Sequence, residues 1–158
     1  MPNLDPQFQA VLRTLAKRLD DVEWALTGST AFALRDVPLE PNDVDVQTTE
    51  DGAYEIADRF QEAVVDPVSF EESDRIRSHF GALELRGIRV EIMGALQKRE
   101  PDGTWEPPVD VAARRAWIDV DGSRIPAFPL EYEARAYERL GRTDRAELLR
   151  EWAEADAN

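Results

Sequence analysis

Asp43 and Asp45 alternate with Val44 and Val46 in "NDVDVQT". At strand spacing the two carboxylates project from one face and the valines from the other. Aspartate is a poor strand former, and like charges side by side repel. A divalent cation would relieve that repulsion. Mg²⁺ prefers oxygen ligands and keeps waters and substrate phosphates in its shell. Two such ions about 3.5–4 Å apart are the usual clamp for phosphoryl and nucleotidyl transfer. Upstream, Gly28-Ser29 follows the apolar run "WALT". Glycine at a strand-to-helix turn lets a phosphate approach backbone without meeting a Cβ, and the Ser29 hydroxyl with the first helical amides can donate to it. A third acid, Glu91 in "GIRVEIMG", lies between Val90 and Ile92, which share the opposite face. If its strand pairs beside that of Asp43, Glu91 joins the two aspartates.

Each feature also has a plainer reading. Gly-Ser can simply cap a helix, Asp-x-Asp can be an acidic edge strand, and Glu91 can face solvent. A second Asp-x-Asp, Asp119 and Asp121, runs into Gly122 and reads as hairpin-turn chemistry. The first pair has no adjacent glycine and follows the Gly-Ser turn, so the two are not equivalent.

The elements that must position these residues are legible from periodicity. Phe8, Val11, Leu12, Leu15 and Leu19 predict an amphipathic helix over 6–20. A buried strand over 22–27 precedes Gly28, a short helix spans 29–36, and Pro38 and Pro41 mark a loop. Strand 43–48 leads to a helix over 51–61 with Ile56, Ala57 and Phe60 inward, then to strands near 64–70, 76–86 and 88–93. Residues 97–110 read as a loop, and 115–120 with 124–128 as a hairpin turning at Asp121-Gly122. Two helices broken near Gly141 fill 129–156. The expected class is α+β, a mixed sheet flanked by helices, with a C-terminal hairpin and helices. The expected organisation is one domain over 1–158, with its motif region at 22–94.

Charge bears on the choice of partner. Asp and Glu number 33 against 19 Lys and Arg, a net charge of −14, and Lys17 and Lys98 are the only lysines. A dispersed acidic excess almost without lysine looks like a protein of an extreme halophile, where carboxylates keep the surface hydrated once molar salt has cut the Debye length to about 3 Å. Acidity then does not exclude nucleotides. There is no cysteine and one histidine, His79, which rules out thiolate or multi-histidine zinc sites within one chain. No apolar run approaches the roughly 20 residues that span a bilayer. The opening "MPNLDPQFQ" lacks the features of a signal peptide, so a cytoplasmic location without membrane association is expected.

Taken in order, "LTGS", thirteen residues, "DVD", then "VEIMG" resembles the polymerase-beta-type nucleotidyltransferase superfamily, over roughly 22–94. Its small stand-alone members, including aminoglycoside, lincosamide and toxin–antitoxin nucleotidyltransferases, look closest. The resemblance implies a Mg²⁺-dependent enzyme moving a nucleoside monophosphate, AMP first among them, from an NTP to a hydroxyl of an unidentified acceptor (small molecule, RNA or protein). It implies that Gly28 and Ser29 hold the β- and γ-phosphates and that Asp43 and Asp45 ligate two metal ions. Glu91 would complete the catalytic metal's shell and help deprotonate the acceptor. The rival reading is a non-catalytic protein of the same fold acting as a binding or antitoxin-like partner of another protein. Arg75 and Arg77 could stabilise a leaving pyrophosphate, His79 could act as a base, and Tyr132 or Arg142 could reach a nucleotide or acceptor. The first two arginines nevertheless read first as surface charge balance, and the other three as structural residues.

Overall fold

The computed structural model describes residues 4–157, with side chains through Ala153. The first helix, α1 (Pro6–Arg18), starts where Asp5 accepts from the Gln7 amide (2.8 Å) with proline at its first position, and ends with Lys17 and Arg18 in its last turn. Both ends therefore suit the helix dipole. Val11, Leu12 and Leu15 are fully buried, each worth about 1.5–3 kcal/mol relative to exposure.

Strand β1 (Trp24–Thr27) runs directly into α2 (Gly28–Ala33), followed by β2 (Val44–Thr48) and α3 (Glu50–Arg59). Thr49 caps α3 by accepting from the Gly52 amide. A 3₁₀ turn at Gln61–Ala63 leads to β3 (Val64–Glu72), β4 (Ile76–Leu85) and β5 (Ile88–Lys98). The remainder is α4 (Val111–Arg114), β6 (Ala116–Val120), β7 (Ser123–Ala127), α5 (Leu130–Arg139) and α6 (Thr143–Ala157).

All seven strands form one mixed sheet in the order β3-β4-β5-β2-β1-β7-β6. β2 pairs parallel with β5 and β1 parallel with β7, while the neighbours β1–β2, β3–β4, β4–β5 and β6–β7 are antiparallel. Arg86-Gly87 and Asp121-Gly122 both place two successive residues at positive φ, the geometry of two-residue hairpin turns. Val44, Val46, Val90, Ile92 and Leu26 form one core with Val11, Leu12 and Leu15 of α1 and Ala53 and Ile56 of α3.

The α+β expectation agrees with this architecture, and three local readings are corrected. β5 runs to Lys98, past the expected end at 93, so the following connection starts later and is pinned by an Arg99–Trp105 bridge. Asp43 precedes β2 as a bend. The four-residue α4 was not expected; Asp110 caps it by accepting from the Ala113 amide. Among the described residues no helix is long and apolar enough to cross a membrane.

Candidate active site

The register of three strands assembles the site. Thr27 of β1 pairs with Asp45 of β2, and Asp45 pairs with Glu91 of β5. Cross-strand partners share a face, so Thr27, Asp45 and Glu91 form one row, opposite the core-facing Leu26, Val44, Val46, Val90 and Ile92. Asp45 and Glu91 are both half-buried. Burial pushes the Asp45 carboxyl up to about 7, helped by the charge and hydrogen bonding of Glu91 and then by the charges of Asp43 and Glu133. A proton held between facing carboxylates stands where a cation could stand.

Glu91 is also tethered along its own strand, where Arg89 Nε donates to Glu91 Oε2 at 3.0 Å. Asp43 is half-buried at the mouth of β2, and its carbonyl accepts from Thr30 Oγ1 at 2.6 Å, tying α2 to the start of the strand. Its charge is felt at Asp45 and at Arg89. Strand pairing fixes Asp45 and Glu91, whereas the Asp43 side chain has no such constraint. Among the described residues, no group of three or more His, Cys, Asp or Glu is gathered closely enough to hold a metal ion.

Gly28 faces the row from α2. Its φ of +76° is a left-handed conformation, and a Cβ there would collide with Asp45 Oδ2. Both constraints select glycine at this turn. Ser29, next in α2, is half-buried.

Glu133 of α5 was missed by the sequence reading. It is fully buried and accepts a hydrogen bond from Thr27 Oγ1. Burial raises its carboxyl to about 7, against the opposing pull of Thr27, Arg35 and Lys98. Lys98 is buried as well, and desolvation lowers its ammonium from the ordinary value. It lines a cleft of about 440 Å³ between α5 and the segment after β5, with Val109, Tyr132, Ala136 and Arg139. Gln47, two residues beyond Asp45, is buried, with no hydrogen-bond partner on Oε1 among the described residues.

The other candidates are engaged elsewhere. Arg75 donates to the Leu140 carbonyl, Arg77 to Gln97 and Glu72 while lying over Trp105, and Arg142 lies over Tyr137. Tyr132 packs on Phe128. His79 contacts Tyr54 and Glu50 of α3, on the side of the sheet away from the carboxylate row.

A mixed sheet with a Gly-Ser turn facing strand carboxylates defines a nucleotidyltransferase-like protein. Comparisons with known proteins make this specific. The family model for aminoglycoside-2″-adenylyltransferase matches residues 8–154, and the chain belongs to that family. A crystallised Thermotoga maritima protein, provisionally described as a nucleotidyltransferase, shares 47% identity over 96% of each chain, with a TM-score of 0.84. Two more distant structures share the fold. The lincosamide antibiotic adenylyltransferase LnuA, bound to lincomycin, has 11% identity and a TM-score of 0.60 over 94% of this chain and 98% of its own. ANT(2″)-Ia, in complex with adenylyl-2″-tobramycin, has 12% identity and a TM-score of 0.54 over 96% of this chain and 97% of its own. A comparison with curated proteins gave no significant match.

Proposed function

We propose that this chain, read as a single domain, transfers a nucleoside monophosphate, AMP by preference, from an NTP to a hydroxyl of an acceptor, with Mg²⁺ as cofactor. The observation that carries the reading is the direct pairing of Asp45 with Glu91 across β2 and β5, in a row where burial first, and then the Glu91 charge, pushes the Asp45 carboxyl up to about 7. That arrangement is unfavourable in an empty strand and favourable around a cation. The family's name and the two adenylyltransferase structures support AMP as the transferred group.

The donor set fits Mg²⁺ chemically: Asp43, Asp45 and Glu91 offer hard oxygens and leave the remaining positions to water and phosphate. When bound, Mg²⁺ would neutralise the carboxylates and polarise the phosphates. Gly28 and Ser29 would hold the β- and γ-phosphates, Gly28 because nothing projects from it toward Asp45. Glu91 would accept the proton of the acceptor hydroxyl as its oxygen bonds to the α-phosphorus, while the bond to the β-bridging oxygen breaks and pyrophosphate leaves. Arg89 would hold the Glu91 carboxylate in place through Oε2.

The acidic surface suits a cytoplasm of high salt, and we include that setting in the proposal. The test is calorimetric titration of ATP with and without Mg²⁺ in molar KCl, alongside label transfer from α-³²P NTPs into RNA, protein and small-molecule fractions. Saturable Mg²⁺-dependent binding and one labelled fraction are expected. An absence of NTP binding at millimolar Mg²⁺ would instead favour a protein-partner role for the fold.

A further inference from the structure

Glu133 is an unusual residue for its position. The flanking buried positions of α5, Leu130 and Ala134, are apolar and already fasten the helix to the core. A buried carboxylate adds a desolvation penalty there, and apolar replacements of buried charged groups are often neutral or stabilising. Packing therefore does not account for a glutamate at 133, and the hydrogen bond that its carboxylate accepts from Thr27 is informative. Thr27 is the last residue of β1, the cross-strand partner of Asp45 and the residue immediately before Gly28. It also occupies the N-cap position of α2, where a threonine hydroxyl ordinarily turns toward its own helix. Here it makes no cap bond and its proton goes sideways to Glu133. The chain from α5 to the carboxylates is thus Glu133, Thr27, Asp45, Glu91, one residue from each of four elements. The approach between Gly28 and Asp45 that this row fixes is tight enough to exclude a Cβ.

We propose that Glu133 is a positioning residue: by binding Thr27 from α5 it sets the β1–α2 turn against Asp45 and so holds the Mg²⁺·NTP site in register. The inference rests on the nucleotide-binding reading above. Lys98 and Arg35, whose charges act on Glu133, make the carboxylate tolerable in its buried place.

The test is a double-mutant cycle on Mg²⁺·ATP affinity, measured by calorimetry on full-length chains at a temperature where melting curves show each to be folded. Glu133→Ala and Thr27→Val should each weaken binding about tenfold or more. The double variant should be no weaker than the worse single one, because both remove one linkage. Glu133→Gln, whose amide oxygen still accepts, and Thr27→Ser, which still donates, should stay within about threefold of the wild type. That rescue separates positioning from mere occupancy of space. If Glu133→Ala does not fold, the contrast between Thr27→Val and Thr27→Ser decides alone. Wild-type affinity in Thr27→Val and Glu133→Ala, or losses that simply multiply in the double variant, would overturn the proposal while leaving the nucleotide reading intact. A wild type that binds no Mg²⁺·ATP would overturn both.

Discussion

On the side of the sheet packed by α1 and α3 stand Leu26, Val44, Val46, Val90 and Ile92, all buried. One residue along each of the same strands, toward α5, stand Thr27, Asp45 and Glu91. The two sets share backbone, register and neighbours, and differ only in parity. The apolar set gains stability from every contact. The polar set brings carboxylates together at a cost in stability, since Asp45 keeps its proton up to about 7. Strand alternation thus lets one segment support folding with half of its residues and present a row of carboxylates with the other half.

Adjacent residues of opposite parity give the largest contrast. Asp45→Asn keeps side-chain size but removes a charge that would attract Mg²⁺. We expect Mg²⁺-dependent ATP binding and label transfer to fall to background, while thermal unfolding of the metal-free protein shifts upward or stays constant. Ile92→Ala, beside Glu91 but facing the core, should lower the unfolding free energy by about 2–5 kcal/mol. Folded molecules of that variant should bind nucleotide almost normally. If Asp45→Asn retained Mg²⁺-dependent binding, the division of roles between the faces would be lost.

Gly28→Ala tests the seam between the two sets. The new methyl meets Asp45 Oδ2 in a backbone of φ +76°. A left-handed alanine alone costs roughly 1–2 kcal/mol. Relief requires Asp45 to move, so nucleotide affinity should fall more than stability does. Calorimetry and urea unfolding on one preparation give both quantities; an affinity as high as the wild type's would show that the close approach has no bearing on binding.

Much of this layout is legible in the letters. "DVDV" and "RVEIM" declare their parity, and "LTGS" marks the turn. The pairing of β2 with β5 is not, because no local pattern says which strands become neighbours. The extension of β5 was obscured by an irregularity: Gly94 packs on Ala53 of α3, yet Lys98, an even four residues later, lines the cleft under α5. A register shift opposite Arg77 and His79, with Ala95 at φ 52°, reverses the parity between them. Glu133 was hidden by composition. In "PLEYEARAYERL" the helical stripe picks out Leu130, Ala134 and Tyr137, and one more glutamate in a chain of 33 acidic residues carries no local mark of burial.

The pH dependence should be of opposite sign for folding and binding. Asp45 and Glu133 both have folded values near 7, above the ordinary 3.8 and 4.5. Their protonated forms suit the folded state, so their stabilising contribution is complete in acid and is lost as pH rises through about 7, on the order of 3 kcal/mol for Glu133 at most. Urea unfolding of the metal-free protein should show lower stability at pH 8 than at pH 5.5, with the drop reduced in Glu133→Gln. Metal ligands must be deprotonated, so Mg²⁺·ATP affinity should rise over the same interval. Stability that climbed equally in the wild type and Glu133→Gln would remove the buried acid from the account.

Salt should move stability least per site, and it acts on the exposed residues rather than on either face of the sheet. The net charge of −14 produces repulsion that grows as the Debye length lengthens from about 3 Å at 1 M to about 10 Å at 0.1 M. Against this stand surface ion pairs such as Arg59 with Asp21 and Glu55, and Arg150 with Glu131 and Glu138, which strengthen on dilution. Exposed pairs contribute little individually, and acids outnumber bases by 33 to 19. Repulsion therefore prevails, and the melting temperature should fall by several degrees between molar and ~0.1 M KCl. Replacing KCl with sorbitol of equal osmolality should not restore it, since screening needs ions. A melting temperature that held or rose on dilution would mean that local ion pairs outweigh the net charge, and the high-salt setting would lose its support. Asp45→Asn, which removes a charge from the half-buried row, should follow nearly the same salt curve as the wild type and differ from it chiefly in the pH curve.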